Sequence, residues 1–322
     1  MMLYVYNILK KAAYGLSLFI ILVVIIVLIW IAWHYLQDPM NFIDKEIGQI
    51  TVLQDSTFSD SIIAQIRTYH KTKLYTPETA TIRCFISIPP EVPEQGLPVV
   101  IILGGLEENL RTLTHIPKPG QNIIVVYQYP YHPQYWYAGT AINEIPIIRE
   151  SVLNVPAQIL ALTEWISNQN WSDNKHIIIS GYSFGAFFIP AIYRLANRYG
   201  LQLDIGVIVY GGANLYHLLV TNMTTVSQPL RSIISWFAST SIRGIEPRLH
   251  ASYLRGEFLL INGNRDNQIP TPCWQELHRL VPEPKTIMIL DEDHMHPGKV
   301  DLTKRLVGMT QQWLLEKNAI NP

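Results

Sequence analysis

The apolar positions of this chain follow two patterns. From Tyr14 to Tyr35 hydrophobic residues occupy every side of a helix, and no Asp, Glu, Lys or Arg interrupts them. About 22 residues at helical rise reach ~33 Å, enough for a hydrocarbon core of ~30 Å. Trp30, Trp33 and Tyr35 at one end and Tyr14 at the other suit the two membrane–water interfaces. A cleaved signal peptide would have a shorter apolar region ending in small residues. Here the exit reads Trp30-Ile31-Ala32-Trp33-His34, which favours an uncleaved anchor over residues 13–36.

Beyond residue 79 the pattern changes to short β-branched or alternating runs at 81–88, 98–103, 122–128, 175–180, 205–210, 257–262 and 286–290. Helix-like stretches lie at 150–169, 184–197, 271–281 and 301–317. Strands alternating with helices imply βαβ units, hence an α/β fold with a mostly parallel sheet flanked by helices. Runs such as Val99-Val100-Ile101-Ile102-Leu103 suit strands covered on both faces. The expected organisation is a tail at 1–12, the span at 13–36, a stalk and extension at 37–74, and a domain at 75–318. Residues 52–75 are ambiguous between helix and strand. The insertion at 213–250 is too long and too periodic for a bare loop, and predicts a small helical cap. The segment 127–137 is aromatic and broken by proline. It suits a binding pocket, a membrane interface or core packing equally.

Charge changes this picture in two ways. Lys and Arg total 24 against 25 Asp and Glu and are scattered, so no nucleic-acid footprint is visible. Lys10 and Lys11 precede the span, and no basic excess follows it. The positive-inside rule then puts the N-terminus in the cytoplasm and the domain outside it. The two cysteines, Cys84 and Cys273, read as buried free thiols, and no Cys/His spacing suggests a metal site.

The candidate chemistry centres on Gly181-Tyr182-Ser183-Phe184-Gly185, between a strand-like run and a helix-like one. A serine on so sharp a turn stands clear of the sheet, and flanking glycines let strand and helix approach at the corner. A serine hydroxyl needs a general base, and the base needs an orienting carboxylate. Asp266 follows the run at 257–262, and His294 and His296 follow the run at 286–290. All lie where strand C-termini gather, the edge at which open α/β sheets bind ligands. An extended segment would put His294 and His296 on the same face, so spacing does not separate them. Asp291, Glu292 and Asp293 are secondary acids.

With Gly-Tyr-Ser-Phe-Gly-Ala, Leu-Leu-Ile-Asn-Gly-Asn-Arg-Asp-Asn-Gln-Ile-Pro and the late His-containing loop, the chain resembles the α/β-hydrolase superfamily from about residue 75 to 316. The resemblance implies a serine hydrolase with Ser183 as nucleophile, His294 as base (His296 as the alternative) and Asp266 as its orienting acid. The 28-residue gap from Asp266 to His294 is similar to the family's usual spacing. Oxyanion donors would be the backbone N–H groups of Phe184 and Leu106, with Gly105 next. The family commonly has His-Gly in that loop, and this chain has Gly104-Gly105 instead. The implied substrate is a small-molecule or lipid-like ester, with no cofactor. Thioesterases, amidases, peptidases and acyltransferases share the machinery, and a non-catalytic binding module is the alternative outside enzymes.

Overall fold

A computed structural model describes the chain except residues 1, 59–66, 106–109, 117, 132–140 and 297. Nine strands form a single sheet in the order β1-β2-β3-β5-β4-β6-β7-β8-β9. They are β1 Thr51–Phe58, β2 Thr68–Thr76, β3 Ala80–Ile88, β4 Leu97–Leu103, β5 Ile123–Gln128, β6 Ser172–Tyr182, β7 Ile205–Val209, β8 Glu257–Gly263 and β9 Lys285–Leu290. The pairings among β1, β2, β3 and β5 are antiparallel, and all those from β5 through β4 to β9 are parallel. The helices are α1 Met2–Leu36, α2 Ala141–Ser167, α3 Ile189–Arg198, α4 Leu215–Asn222, α5 Leu230–Ser241, α6 Thr271–Leu280 and α7 Val300–Glu316.

The continuous apolar strands are explained by burial on both faces. In β4 every residue is buried. Val99, Ile101 and Leu103 point into a core with α2, α3 and α6, whereas Val100 and Ile102 join Leu302, Leu306 and Trp313 of α7. Period-two alternation therefore divides one strand between two helical layers. Residues 213–250 form α4, α5 and two short 3-10 turns, a small helical cap.

Residues 37–74, expected as a stalk and extension ahead of a domain from 75, contribute strands to the sheet and side chains to the core. β1 and β2 belong to the sheet, and Met40 and Ile43 are buried in the main core. The Asp38 carboxylate accepts the Met40 N–H at 2.9 Å and opens a 3-10 turn over Pro39–Phe42. Arg194 pairs with Asp38, and Arg198 and the Tyr199 hydroxyl hold Asp44. Asp38 and Asp44, in a segment that reads as a solvated linker, thus face partners at α3. β1 pairs with β2 and β2 with β3, each with its neighbour in the chain, and what holds such edge strands is the cross-strand context rather than their own composition.

The 33 residues Tyr4–Leu36 are long and apolar enough to cross a membrane. Asn143–Ser167 within α2 is also long and apolar, but 67% of its apolar window is buried against the sheet, as a core helix should be.

Candidate active site

β4, β6, β7, β8 and β9 run parallel, so their C-terminal ends share one edge of the sheet. β6 ends at Tyr182 in extended backbone, and Ser183 follows with φ 52°, in the left-handed region. That conformation costs a non-glycine residue about 1–2 kcal/mol. The surrounding geometry holds it there. A Cβ on Gly181 would lie 2.7 Å from Ala186 Cα, and one on Gly185 would lie 2.1 Å from the Leu103 carbonyl oxygen. Both glycines are required because strand, turn and helix pass closer than a methyl group allows.

Ser183 Oγ lies 2.8 Å from His294 Nε2, and His294 Nδ1 lies 2.7 Å from Asp266 Oδ2. A carboxylate can only accept, so the proton sits on Nδ1, and Nε2 is left to accept from the serine hydroxyl. The side chains of His294 and Asp266 are 6% and 0% exposed, which keeps water from competing for these bonds. Asp266 Oδ1 accepts the backbone N–H groups of Gln268 and Ile269 at 2.7 and 2.9 Å. The buried carboxylate therefore has protein donors on both oxygens and a fixed direction.

The loops bearing Asp266 and His294 are joined by backbone. Asn264 N–H donates to Leu290 C=O at 2.8 Å, and Arg265 N–H to Glu292 C=O at 3.1 Å. His296 is exposed and accepts from the Gly298 N–H, away from the serine. The neighbouring acids face cations: Asp291 meets Arg265, Glu292 meets Arg305, and Asp293 meets Lys299.

One residue of this site carried no signal in the sequence. Tyr210, just after β7, has φ 56° and donates its hydroxyl to the Asp293 carbonyl at 3.0 Å. Burial, then the charge of Asp266, pushes its phenol well above the ordinary range, so it stays a donor. Its aromatic type and its place at a strand end resemble ordinary core packing.

On the opposite side, the Gly104 carbonyl accepts the Tyr129 hydroxyl at 2.9 Å and the Gly185 N–H at 3.0 Å. A Cβ on Gly105 would stand 3.7 Å from Ser183 Cβ, so the turn after β4 borders the serine. Leu106 lies outside the described residues, as do His132 and residues 133–137 of the aromatic segment. Tyr129 itself packs edge-on to Phe184. Cys84 and Cys273 are buried and unpaired. Among the described residues no group of three or more His, Cys, Asp or Glu side chains gathers as a metal site would require.

The fold recurs in solved structures. The chain is similar to acetyl xylan esterase 1 from Thermoanaerobacterium sp., with 16% identity, a TM-score of 0.58, and 84% of this chain and 89% of that chain covered. An acetyl xylan esterase from Paenibacillus sp. is 14% identical at a TM-score of 0.59, covering 84% and 92%. An esterase from Pyrococcus furiosus is 13% identical at a TM-score of 0.56, covering 85% and 99%. The chain has the α/β-hydrolase fold. No protein-family model matches it, and no curated protein does. In this α/β-hydrolase fold the three antiparallel strands extend the sheet on the side away from Asp266 and His294.

Proposed function

We propose that this protein is a serine hydrolase that cleaves a carboxylic ester through an acyl-enzyme intermediate. The observation that carries the reading is the hydrogen-bonded series Ser183–His294–Asp266, with links of 2.8 and 2.7 Å. Ser183 Oγ attacks the ester carbonyl as His294 Nε2 takes its proton. The same imidazole returns that proton to the departing alkoxide, and water then repeats the sequence to release the acid. Asp266 holds the tautomer and stabilises the imidazolium. The backbone N–H groups of Phe184 and of Leu106 or Gly105 are the proposed donors to the developing oxyanion. Esters, amides and thioesters pass through the same tetrahedral geometry, and an acylaminoacyl peptidase from Pyrococcus horikoshii is also similar in fold, at a TM-score of 0.53. The ester is favoured because three of the similar structures named above are esterases.

In this reading α1 is the membrane anchor, with residues 1–12 in the cytoplasm and the hydrolase domain outside it. Lys10 and Lys11 at the entering end support that orientation. The decisive experiment is fluorophosphonate labelling of the full-length protein together with hydrolysis of a nitrophenyl ester. Wild type should be labelled and active, and Ser183→Ala should lose both. A folded wild type that resists the probe would overturn the catalytic reading in favour of a binding module.

A further inference from the structure

α5 is inverted relative to a helix on a water-facing surface. Its buried residues are the polar Ser235 and Thr240. Leu230, Ile233 and Ile234 are 51%, 50% and 38% exposed. With Phe237 they fall at i, i+3, i+4 and i+7, so they form one stripe. Across residues 215–241 the only Asp, Glu, Lys or Arg is Arg231. Its guanidinium folds back onto the carbonyls of Val226 and Thr224 instead of serving the outer face.

The position of this stripe indicates what covers it. The Phe237 ring packs against Trp30 of α1, centroids 5.8 Å apart. Trp30 stands near the C-terminal end of the apolar helix, at the level where an interfacial ring belongs. Arg243 fixes that level by donating to the carbonyls of His34 and Gln37 at 3.4 and 3.1 Å. The stripe therefore continues, along one helix face, from a residue in contact with the anchor.

We infer that the outer face of α5 lies in the interface of the same bilayer that α1 crosses, as a second apolar attachment. The inference rests on the anchor reading of α1. Lipid contact with α5 has a route to the site: Ser235 donates to the Met223 sulfur, and Asn222 Nδ2 donates to the Gln268 carbonyl at 2.8 Å, two residues from Asp266. This face would thereby keep the acid loop close to the membrane surface.

The test uses full-length protein in phosphatidylcholine vesicles. Single cysteines at Ile233→Cys, Leu22→Cys and Glu316→Cys carry an environment-sensitive fluorophore, while the native thiols are both buried. Lipids bearing acyl-chain nitroxides should quench the label at positions 233 and 22 by about half or more and spare position 316. If position 22 is quenched while 233 behaves like 316, the inference fails and the anchor stands. Bright, blue-shifted but unquenched emission at 233 would mean that a second copy or another protein covers α5, which also overturns it. An unquenched position 22 removes anchor and inference together.

Discussion

Tyr210 stands edge-on to His294, ring centroids 5.2 Å apart at 82°, and its hydroxyl donates to the carbonyl of Asp293, the residue before that histidine. The phenol thus braces the imidazole by contact and its loop by a hydrogen bond. Tyr210→Phe keeps the contact and removes the bond, whose net worth is about 1 kcal/mol. The expected result is a fall in kcat of about fivefold with KM nearly unchanged. Steady-state kinetics on a soluble nitrophenyl ester would check it. Equal losses of kcat in Tyr210→Phe and Tyr210→Leu, with lowered melting temperatures in both, would mark a purely structural role.

Asp266→Asn is the sharper probe of the acid. The amide is nearly isosteric but can present an N–H to His294 Nδ1, which favours the wrong tautomer and turns Nε2 into a donor. A drop in kcat of about 10³–10⁴-fold is expected in a folded protein. Retention of most of the activity would show that the 2.7 Å bond from His294 Nδ1 does not direct the base.

Gly185→Ala tests the turn itself. Its new methyl would sit 2.1 Å from the Leu103 carbonyl oxygen, which belongs to a fully buried strand and has little room to move. Destabilisation of about 3 kcal/mol is expected, read as a lower midpoint in urea. Gly200→Ala is the contrasting variant: no atom lies within 4 Å of its Cβ, although its φ of 71° still strains alanine. It should cost only about 1 kcal/mol. A midpoint for Gly185→Ala no lower than that of Gly200→Ala would contradict the close approach.

Two buried histidines predict loss of stability in acid. Burial, then the charge of Arg194, lowers His250 to about 4, and burial, then Lys285, lowers His278 to about 4. His250 Nε2–H donates to the Gly244 carbonyl at 2.9 Å and His278 Nε2–H donates to Asn262 Oδ1 at 2.9 Å, while burial and the neighbouring cations favour the neutral ring. In the unfolded chain these rings take up protons near 6.5. Between that value and about 4 the unfolded state binds more protons, and stability falls as pH falls. Each ring accounts for roughly 3 kcal/mol over the whole interval. Urea midpoints measured from pH about 7.5 down to about 4.5 should decline steadily below pH about 6.5. A flat profile would mean that neither ring is held neutral in the folded protein, and a decline of half the expected size would mean that only one is.

Short-range features carried most of what was legible in the chain. The apolar helix, the strand–helix alternation from β3 onward and the turn around Ser183 each arise from residues close in sequence, where periodicity and glycine placement act directly. The choice between His294 and His296 depended on a contact 111 residues distant, from the imidazole to Ser183. Tyr210 acts across 83 residues on Asp293, and nothing beside it in the chain announces that bond. The composition of residues 37–58 and 67–76 likewise does not mark the partners of Asp38 and Asp44 on α3 or the pairing of β1 with β2 and of β2 with β3.

The sequence by itself determined a strand-to-helix turn carrying Ser183, a mainly parallel sheet and an N-terminal helix apolar enough for a bilayer, because each is written in local spacing and composition. The tertiary structure decided which histidine meets the serine, which carboxylate meets that histidine, how α1 docks on the domain and which way α5 turns its apolar face. Those outcomes depend on distances between residues far apart in the chain, and only the folded sheet sets them.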